Sequence, residues 1–353
     1  MNDPTPELFR RYPALAGRVP WTPLGTFPTP IEPCDVEASD GSARTVWVKR
    51  EDRSSARYGG NKVRKLEFLL AEARRRGARR LITVGAAASH HAFATLVHGR
   101  DAGFDCTLVL FPQPWTPHVE TMLRLDAAFG ADIVWAPRME LVPVALLRAR
   151  LTHWRAPAFN IAAGGSDATG TLGWISGGLE LAAQLESGEA PRPARIHVAG
   201  GTLGTAAGLA IGLALAGCDI PVAATRITSR LITNERVLAR LIAGASAVLE
   251  GGGVRVPSVE RIASRVEIRH GQIGRGYGHE TDASRRALDT FLDAGIALEQ
   301  TYTAKACAEL LQSVHTDEPV LFVHSFSAVE PALPEGIVDL PPAVASYLAR
   351  SRG

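Results

Sequence analysis

Short apolar runs alternate along the chain with longer segments in which apolar positions recur every three or four residues. Thr45–Lys49 (TVWVK) is β-branched and predicts a strand. Gly59-Gly60-Asn61 then predicts a turn. From Val63 to Arg76, Leu66, Leu69, Leu70 and Ala73 fall at helical spacing, with Gly77 as a stop signal. Arg80–Val84 (RLITV) reads as a buried strand ending in small residues, and a second helix is expected from Ser89 or His90. Cys106–Phe111 (CTLVLF) predicts a strand, Glu120–Phe129 a helix and Asp132–Trp135 a strand. The alternation resumes with a helix over Leu179–Leu185, a strand over Arg195–Val198 and a glycine-rich loop, Gly200–Thr205. A small-residue helix over Ala206–Ala216 and strands over Pro221–Arg226 and Val320–His324 follow. Strand and helix in turn at short spacing predict an α/β protein with parallel sheets. No Pro/Ser-rich linker divides the chain, so two domains would share the sheet-rich body.

Composition narrows the partners. The 353 residues are 46% hydrophobic and 21% charged, with a net charge of +2. Such a balance argues against nucleic acid or an anionic membrane as main partner. The longest uncharged run, Val198–Cys218, is diluted by glycine and threonine, so no membrane span is expected. The N-terminus lacks the basic and apolar regions of a signal peptide. Cys34, Cys106, Cys218 and Cys307 stand far apart, which suggests neither a disulfide framework nor a zinc site and fits a reducing cytoplasm.

Four clusters carry candidate chemistry. Lys62 lies in GGNKVRKLEF, at a turn before a helix, where a deprotonated amine could attack a carbonyl. Arg64 and Lys65 are neighbours that could lower its pKa. By itself the same lysine also reads as a surface residue beside a turn. Gly201-Thr202-Leu203-Gly204-Thr205 follows a strand and opens a helix, the chain order of an anion site. It matches neither GxxxxGK[ST] nor GxGxxG, so a nucleotide triphosphatase is disfavoured. Ser89-His90-His91 lacks a GxSxG elbow and has poor metal spacing. Ser89 suits a helix N-cap, and adjacent helical side chains are expected to face different ways. Tyr277 in GRGYGHET and Tyr302 in TYTAK are either core tyrosines or residues that stack on a flat ring.

The strings FPTPIEP (27–33), VWVKRED (46–52), GGNKVRKLEFLLAEA (59–73), LITVGAAASHHA (81–92), GTLGTAAGL (201–209), GRGYGHET (274–281) and YTAKA (302–306) resemble one family. It comprises the fold-type II pyridoxal 5′-phosphate (PLP) enzymes of the 1-aminocyclopropane-1-carboxylate (ACC) deaminase and D-cysteine desulfhydrase group. The likeness extends from about residue 20 to 330. It implies a tryptophan-synthase-β-like α/β fold with two open, mostly parallel sheets. Residues 63–173 would form the small domain, and 1–62 with 174–353 the large PLP domain.

The resemblance also implies roles. Lys62 matches the Schiff-base lysine, with Asn61 beside it, and Gly201, Thr202, Leu203, Gly204 and Thr205 match the phosphate cradle. Ser89 matches the serine near the substrate carboxylate and reacting atoms, with His90 and His91 alongside it as substrate contacts. Tyr277 and Tyr302 match two active-site tyrosines, Tyr302 close to the cofactor ring. Thr303 stands where ACC deaminases carry glutamate and D-cysteine desulfhydrases threonine, near the pyridine nitrogen. A homodimer acting on a small amino acid is implied. Three positions depart from the pattern. His90 replaces an asparagine expected to bond the phenolic oxygen of PLP. Leu203 replaces a glycine, which would remove close backbone approach on one side, and Phe326 replaces another near His324-Ser325. These three changes suggest an altered substrate or reaction, whereas Thr303 favours β-elimination with deamination of the D-cysteine desulfhydrase kind. ACC ring opening, β-replacement or epimerisation in a reshaped pocket, and non-catalytic PLP binding are the alternatives.

Overall fold

The computed structural model describes residues 3–38, 40–313, 318–334, 336 and 338–351. Among them ten strands form two sheets. They are β1 (Ile31–Glu37), β2 (Ala43–Lys49), β3 (Arg80–Ala86), β4 (Asp105–Phe111), β5 (Asp132–Trp135), β6 (Ala158–Ile161), β7 (Arg195–Gly200), β8 (Val222–Arg226), β9 (Val266–Arg269) and β10 (Val320–Val323). The larger sheet has the order β1-β2-β10-β7-β8-β9, antiparallel only between β1 and β2. The smaller has the order β5-β4-β3-β6 and is wholly parallel.

Both sheets are covered on both faces, which accounts for the unbroken apolar runs of RLITV and CTLVLF. Side chains alternate across a strand. Leu321 and Val323 of β10 join Ile196, Val198 and the helices Ala168–Glu186, Gly204–Leu215 and Glu235–Gly251 in one core. Val320 and Phe322 instead face the helices Asp282–Asp293 and Thr303–Ser313. In the small sheet Leu81, Leu108 and Leu110 pack with helices Lys62–Arg75, His90–Asp101 and Pro117–Ala128. Ile82 and Val109 pack with helix Val142–Thr152.

The predicted strands and helices are present with shifted ends. One difference is larger: the helix expected over Leu179–Leu185 runs from Ala168 to Glu186. Asp167 caps it by accepting the Gly170 N–H at 2.8 Å.

A buried ionic cluster ties the start of helix Lys62–Arg75 to the large sheet. The Arg64 guanidinium donates to Glu51 (2.7 and 2.8 Å) and to Glu180 (2.8 and 3.0 Å). The Lys49 ammonium donates to Glu180, to Gln184 Oε1 at 2.6 Å and to the Thr29 carbonyl at 2.6 Å. All four charged groups are buried. Burial alone would push the Glu180 carboxyl up, but the Arg64 and Lys49 charges outweigh it and hold its pKa low.

Candidate active site

A cavity of about 740 Å³ opens between the two sheets, lined by residues from both. Asn61, Lys62, Ser89, His90, His91, Gly201, Thr202, Leu203, Gly204, Thr205, Tyr277, Tyr302 and Thr303 all line it, so the fold brings every candidate residue to one place.

Lys62 is the first residue of its helix. The preceding turn requires glycine: Gly60 has φ +93°, and a Cβ there would meet the Ser325 carbonyl oxygen at 2.8 Å. Lys62 Nζ donates to Asn61 Oδ1 at 2.6 Å. Asn61 Nδ2 donates in turn to Thr205 Oγ1 at 2.9 Å, linking the lysine to the glycine-rich loop. Trp174 Nε1 donates to the Asn61 carbonyl at 2.8 Å and fixes the turn from below. Burial lowers the Lys62 pKa from its usual 10.5 to about 8, with Glu299 pulling weakly the other way. Arg64 and Lys65 are not the cause. The Arg64 charge is absorbed by Glu51 and Glu180, and desolvation supplies the shift.

The loop Gly201–Thr205 opens helix Gly204–Leu215 towards the cavity. Lys65, one turn after Lys62, reaches it. Its Nζ donates to the Gly164 carbonyl at 2.9 Å and to Ser166 Oγ at 3.0 Å. Ser166 Oγ lies 2.7 Å from Thr202 Oγ1. A Cβ on Gly204 would meet Ser166 Oγ at 2.4 Å and Lys65 Nζ at 2.8 Å, so only glycine leaves this cradle open. A helix N-terminus, hydroxyls from Ser166, Thr202 and Thr205, and one ammonium together fit a phosphate monoester. Leu203 departs less than expected. It takes the left-handed φ of 61° that glycine favours, and it is buried with the core of the large sheet.

Ser89 caps helix His90–Asp101, accepting the Ala92 N–H at 3.2 Å. Ser89, His90 and His91 all reach the cavity, although neighbouring helical residues ordinarily diverge, because the helix presents its N-terminal end there. Both nitrogens of His90 are engaged: Nδ1 lies 2.6 Å from Tyr58 Oη and Nε2 lies 3.1 Å from Nε2 of the exposed His118. Burial pushes the His90 pKa down, and His118 and Lys62 push it further. Phe326 packs edge-on against His90, with centroids 4.8 Å apart. His91 Nε2 lies 3.0 Å from Thr83 Oγ1.

Opposite the small sheet, Tyr302 and Tyr277 share a hydrogen bond of 2.8 Å. The Tyr302 ring stands against the Gly201 backbone, so a flat ring attached to a phosphate in the cradle would lie near it. The Thr303 hydroxyl is internally satisfied: it accepts the Glu299 N–H at 2.6 Å and donates to the Glu299 carbonyl at 3.1 Å. The Glu299 carboxylate accepts the Thr301 and Tyr302 N–H groups at 2.6 and 2.8 Å and also lines the cavity. Glu299, Tyr58 and His118 carry no sequence signal; Ser166 falls in GGSDATGTLGW (164–174), a further string that resembles the family. Lys65 carries one, three residues after Lys62 on the same helix face.

Among the described residues no cluster of His, Cys, Asp or Glu could hold a metal ion, and no helix is long and apolar enough to cross a membrane. The four cysteines are free. Known proteins match this arrangement. A family model described as "Pyridoxal-phosphate dependent enzyme" matches residues 23–325. The chain is 35% identical over 345 residues to nocardicin C-9′ epimerase of Nocardia uniformis subsp. tsuyamanensis, covering 94% of this chain and 99% of that protein. It is 31% identical over 334 residues to D-cysteine desulfhydrase of Salmonella schwarzengrund (strain CVM19633), covering 90% of this chain and 96% of that one. A solved structure described as an ACC deaminase homologue superposes with a TM-score of 0.72 at 27% identity, covering 91% of this chain and 95% of the other. The chain therefore belongs to the pyridoxal-phosphate dependent enzymes, with the fold-type II architecture its sequence resemblance implies and PLP as its cofactor.

Proposed function

We propose that the protein removes the α-proton of an amino acid and expels a β-substituent, giving a 2-oxo acid and ammonia. The single observation that carries this is the state of Lys62. Its Nζ is buried, its pKa is down to about 8, and it projects into the cavity that holds the phosphate cradle. PLP supplies a carbonyl carbon for the amino groups of Lys62 and substrate, and an electron sink for the α-carbon. The chain supplies the rest. Lys65, Ser166, Thr202, Thr205 and the first N–H groups of helix Gly204–Leu215 would hold the phosphate. The Tyr302 ring would stand beside the cofactor. Ser89 and the N–H groups at the start of helix His90–Asp101 hold the substrate carboxylate. Lys62 Nζ, which lines the cavity, would take the α-proton and return it to the leaving group. Incubating the holoenzyme with D-cysteine, ACC and O-acetylserine, and assaying sulfide and 2-oxo acids, tests the reaction class. Absence of 2-oxo acid from every substrate contradicts it.

Epimerisation is the second reading, favoured by the relative at 35% identity and by the Tyr58–His90–His118 chain, which joins the cavity to the exposed His118. It predicts exchange of the α-proton with inversion and an intact carbon skeleton.

Two further outcomes follow from the geometry. The Lys65→Ala change removes a donor to the charged phosphate from the cradle. Such a bond is worth about 1.5–3 kcal/mol, so PLP affinity should fall about 10- to 100-fold, measured by titrating apoenzyme with PLP. The rate at which apoenzyme takes up PLP covalently should rise with pH and level off above about 8, where Lys62 is neutral. A rate still climbing steadily to the ordinary lysine pKa of about 10.4 would show that burial does not set Lys62's state.

A further inference from the structure

The cavity extends beyond what the cofactor and a small amino acid need. The C-terminal ends of β3 and β4 line it, with the segments that follow β5 (from Met139) and β6 (from Ala163). The sheet order β5-β4-β3-β6 gives this floor a direction. The β6 end leads to Gly164, beside Thr202 and Lys65 at the phosphate cradle. The β3 end leads to Ser89. The ends of β4 and β5 lie further on, β5 being three strands from β6, or about 14 Å at the usual strand spacing. Here the lining turns apolar: Phe111, Pro114, Met139, Val142 and Pro143. The charged groups that line the cavity, Lys62, Lys65 and Glu299, all lie on other segments. The polar neighbour Gln113 accepts the Ala88 N–H on its Oε1 at 3.2 Å. Met139, at the rim, is 47% exposed, so the annexe opens outward.

We propose that this annexe binds the side chain of the substrate, and that the substrate is an α-amino acid with an extended apolar substituent beyond its β-carbon. The proposal rests on the α-proton chemistry assigned to Lys62 and names its substrate class. With the carboxylate at Ser89 and the amino group towards Lys62, a substituent beyond the β-carbon points along the floor to β4 and β5. A cysteine side chain would leave the annexe to water, and a charged one would find no counter-charge there.

S-Benzylcysteine is a probe of this class. Its elimination balances as substrate plus water giving phenylmethanethiol, pyruvate and ammonia. The α-proton passes to Lys62, the C–S bond breaks with its electron pair on sulfur, and the thiolate takes up the proton. Both enantiomers of S-benzylcysteine and of cysteine are given to the holoenzyme in D2O. Loss of the α-proton, pyruvate and enantiomer composition are followed by NMR. Burial of the benzyl group predicts a kcat/KM at least about tenfold above that of cysteine. Met139→Trp and Val142→Trp, each filling the annexe, should collapse that ratio towards one. Should either variant fail to fold, the other decides. Cysteine used as well as or better than the benzyl compound overturns the proposal and leaves the α-proton chemistry standing. If neither compound loses its α-proton, that chemistry fails, and calorimetry decides the annexe by itself. 4-Phenylbutyrate binding at least about tenfold tighter than butyrate sustains the apolar site, and equal affinities overturn it.

Discussion

Lys62→Ala is expected to abolish the visible absorption of the PLP-loaded protein and to lower turnover by at least the roughly 10²–10⁴-fold attributable to a positioned base. Two other lysines sharpen the expectation, because burial depresses their pKa values as well. Lys65 is pushed well below its ordinary value, and Lys305 falls to about 8. Geometry separates the three. Lys65 Nζ is committed to the Gly164 carbonyl and Ser166 at the phosphate end. Lys305 Nζ donates to the Ile273 and Gly276 carbonyls at 3.0 and 3.3 Å and does not line the cavity. Lys62 Nζ donates to Asn61 Oδ1 and lines the cavity. Lys65→Ala and Lys305→Ala should therefore keep the visible band at saturating PLP. Spectra of the three holo-variants check this.

Glu180→Ala should cost about 3–5 kcal/mol of stability, the range seen when one partner of a buried ion pair is removed. It would leave Lys49 and Arg64 buried without their shared carboxylate. Arg64 lies two residues after Lys62, so the loss should be felt at the site as well as in the fold. Denaturant midpoints of the variant and the parent, both PLP-loaded, measure it. Glu180→Leu should cost nearly as much, because the loss is in charge pairing and not in volume. A midpoint shift below about 1 kcal/mol, the worth of an exposed pair, would mean that the cluster is hydrated.

What was legible in the sequence followed from burial. RLITV and CTLVLF stand out because strands covered on both faces are apolar throughout. By contrast, β6 (AFNI) and β9 (VEIR) are four residues each with mostly part-exposed positions, too short for a period to register. The helix from Ala168 was foreseen only in its second half. Its first half, ATGTLGWISGG, carries glycine and threonine that disfavour an isolated helix. Close packing against helix Gly204–Leu215 overrides that propensity: a Cβ on Gly212 would meet the Ile175 carbonyl oxygen at 2.4 Å. At the site, Lys62 and Gly201–Thr205 were visible because each sits in a local motif. Tyr58 and His118 were not, because they join the site only through His90, 32 and 28 positions away, and Glu299 was not, because only the fold brings its carboxylate, held by the Thr301 and Tyr302 N–H groups, to the cavity. The cause of the lowered Lys62 pKa was also beyond the sequence. Arg64 looked like a repelling neighbour until the fold supplied Glu51 and Glu180 to neutralise it.

Borohydride reduction of the PLP-loaded protein, followed by peptide mapping, tests the central claim most directly. The account predicts a phosphopyridoxyl group on Lys62 and an unmodified Lys65 and Lys305. Label on either of those two lysines instead, or reduction that leaves no covalent cofactor, would contradict it.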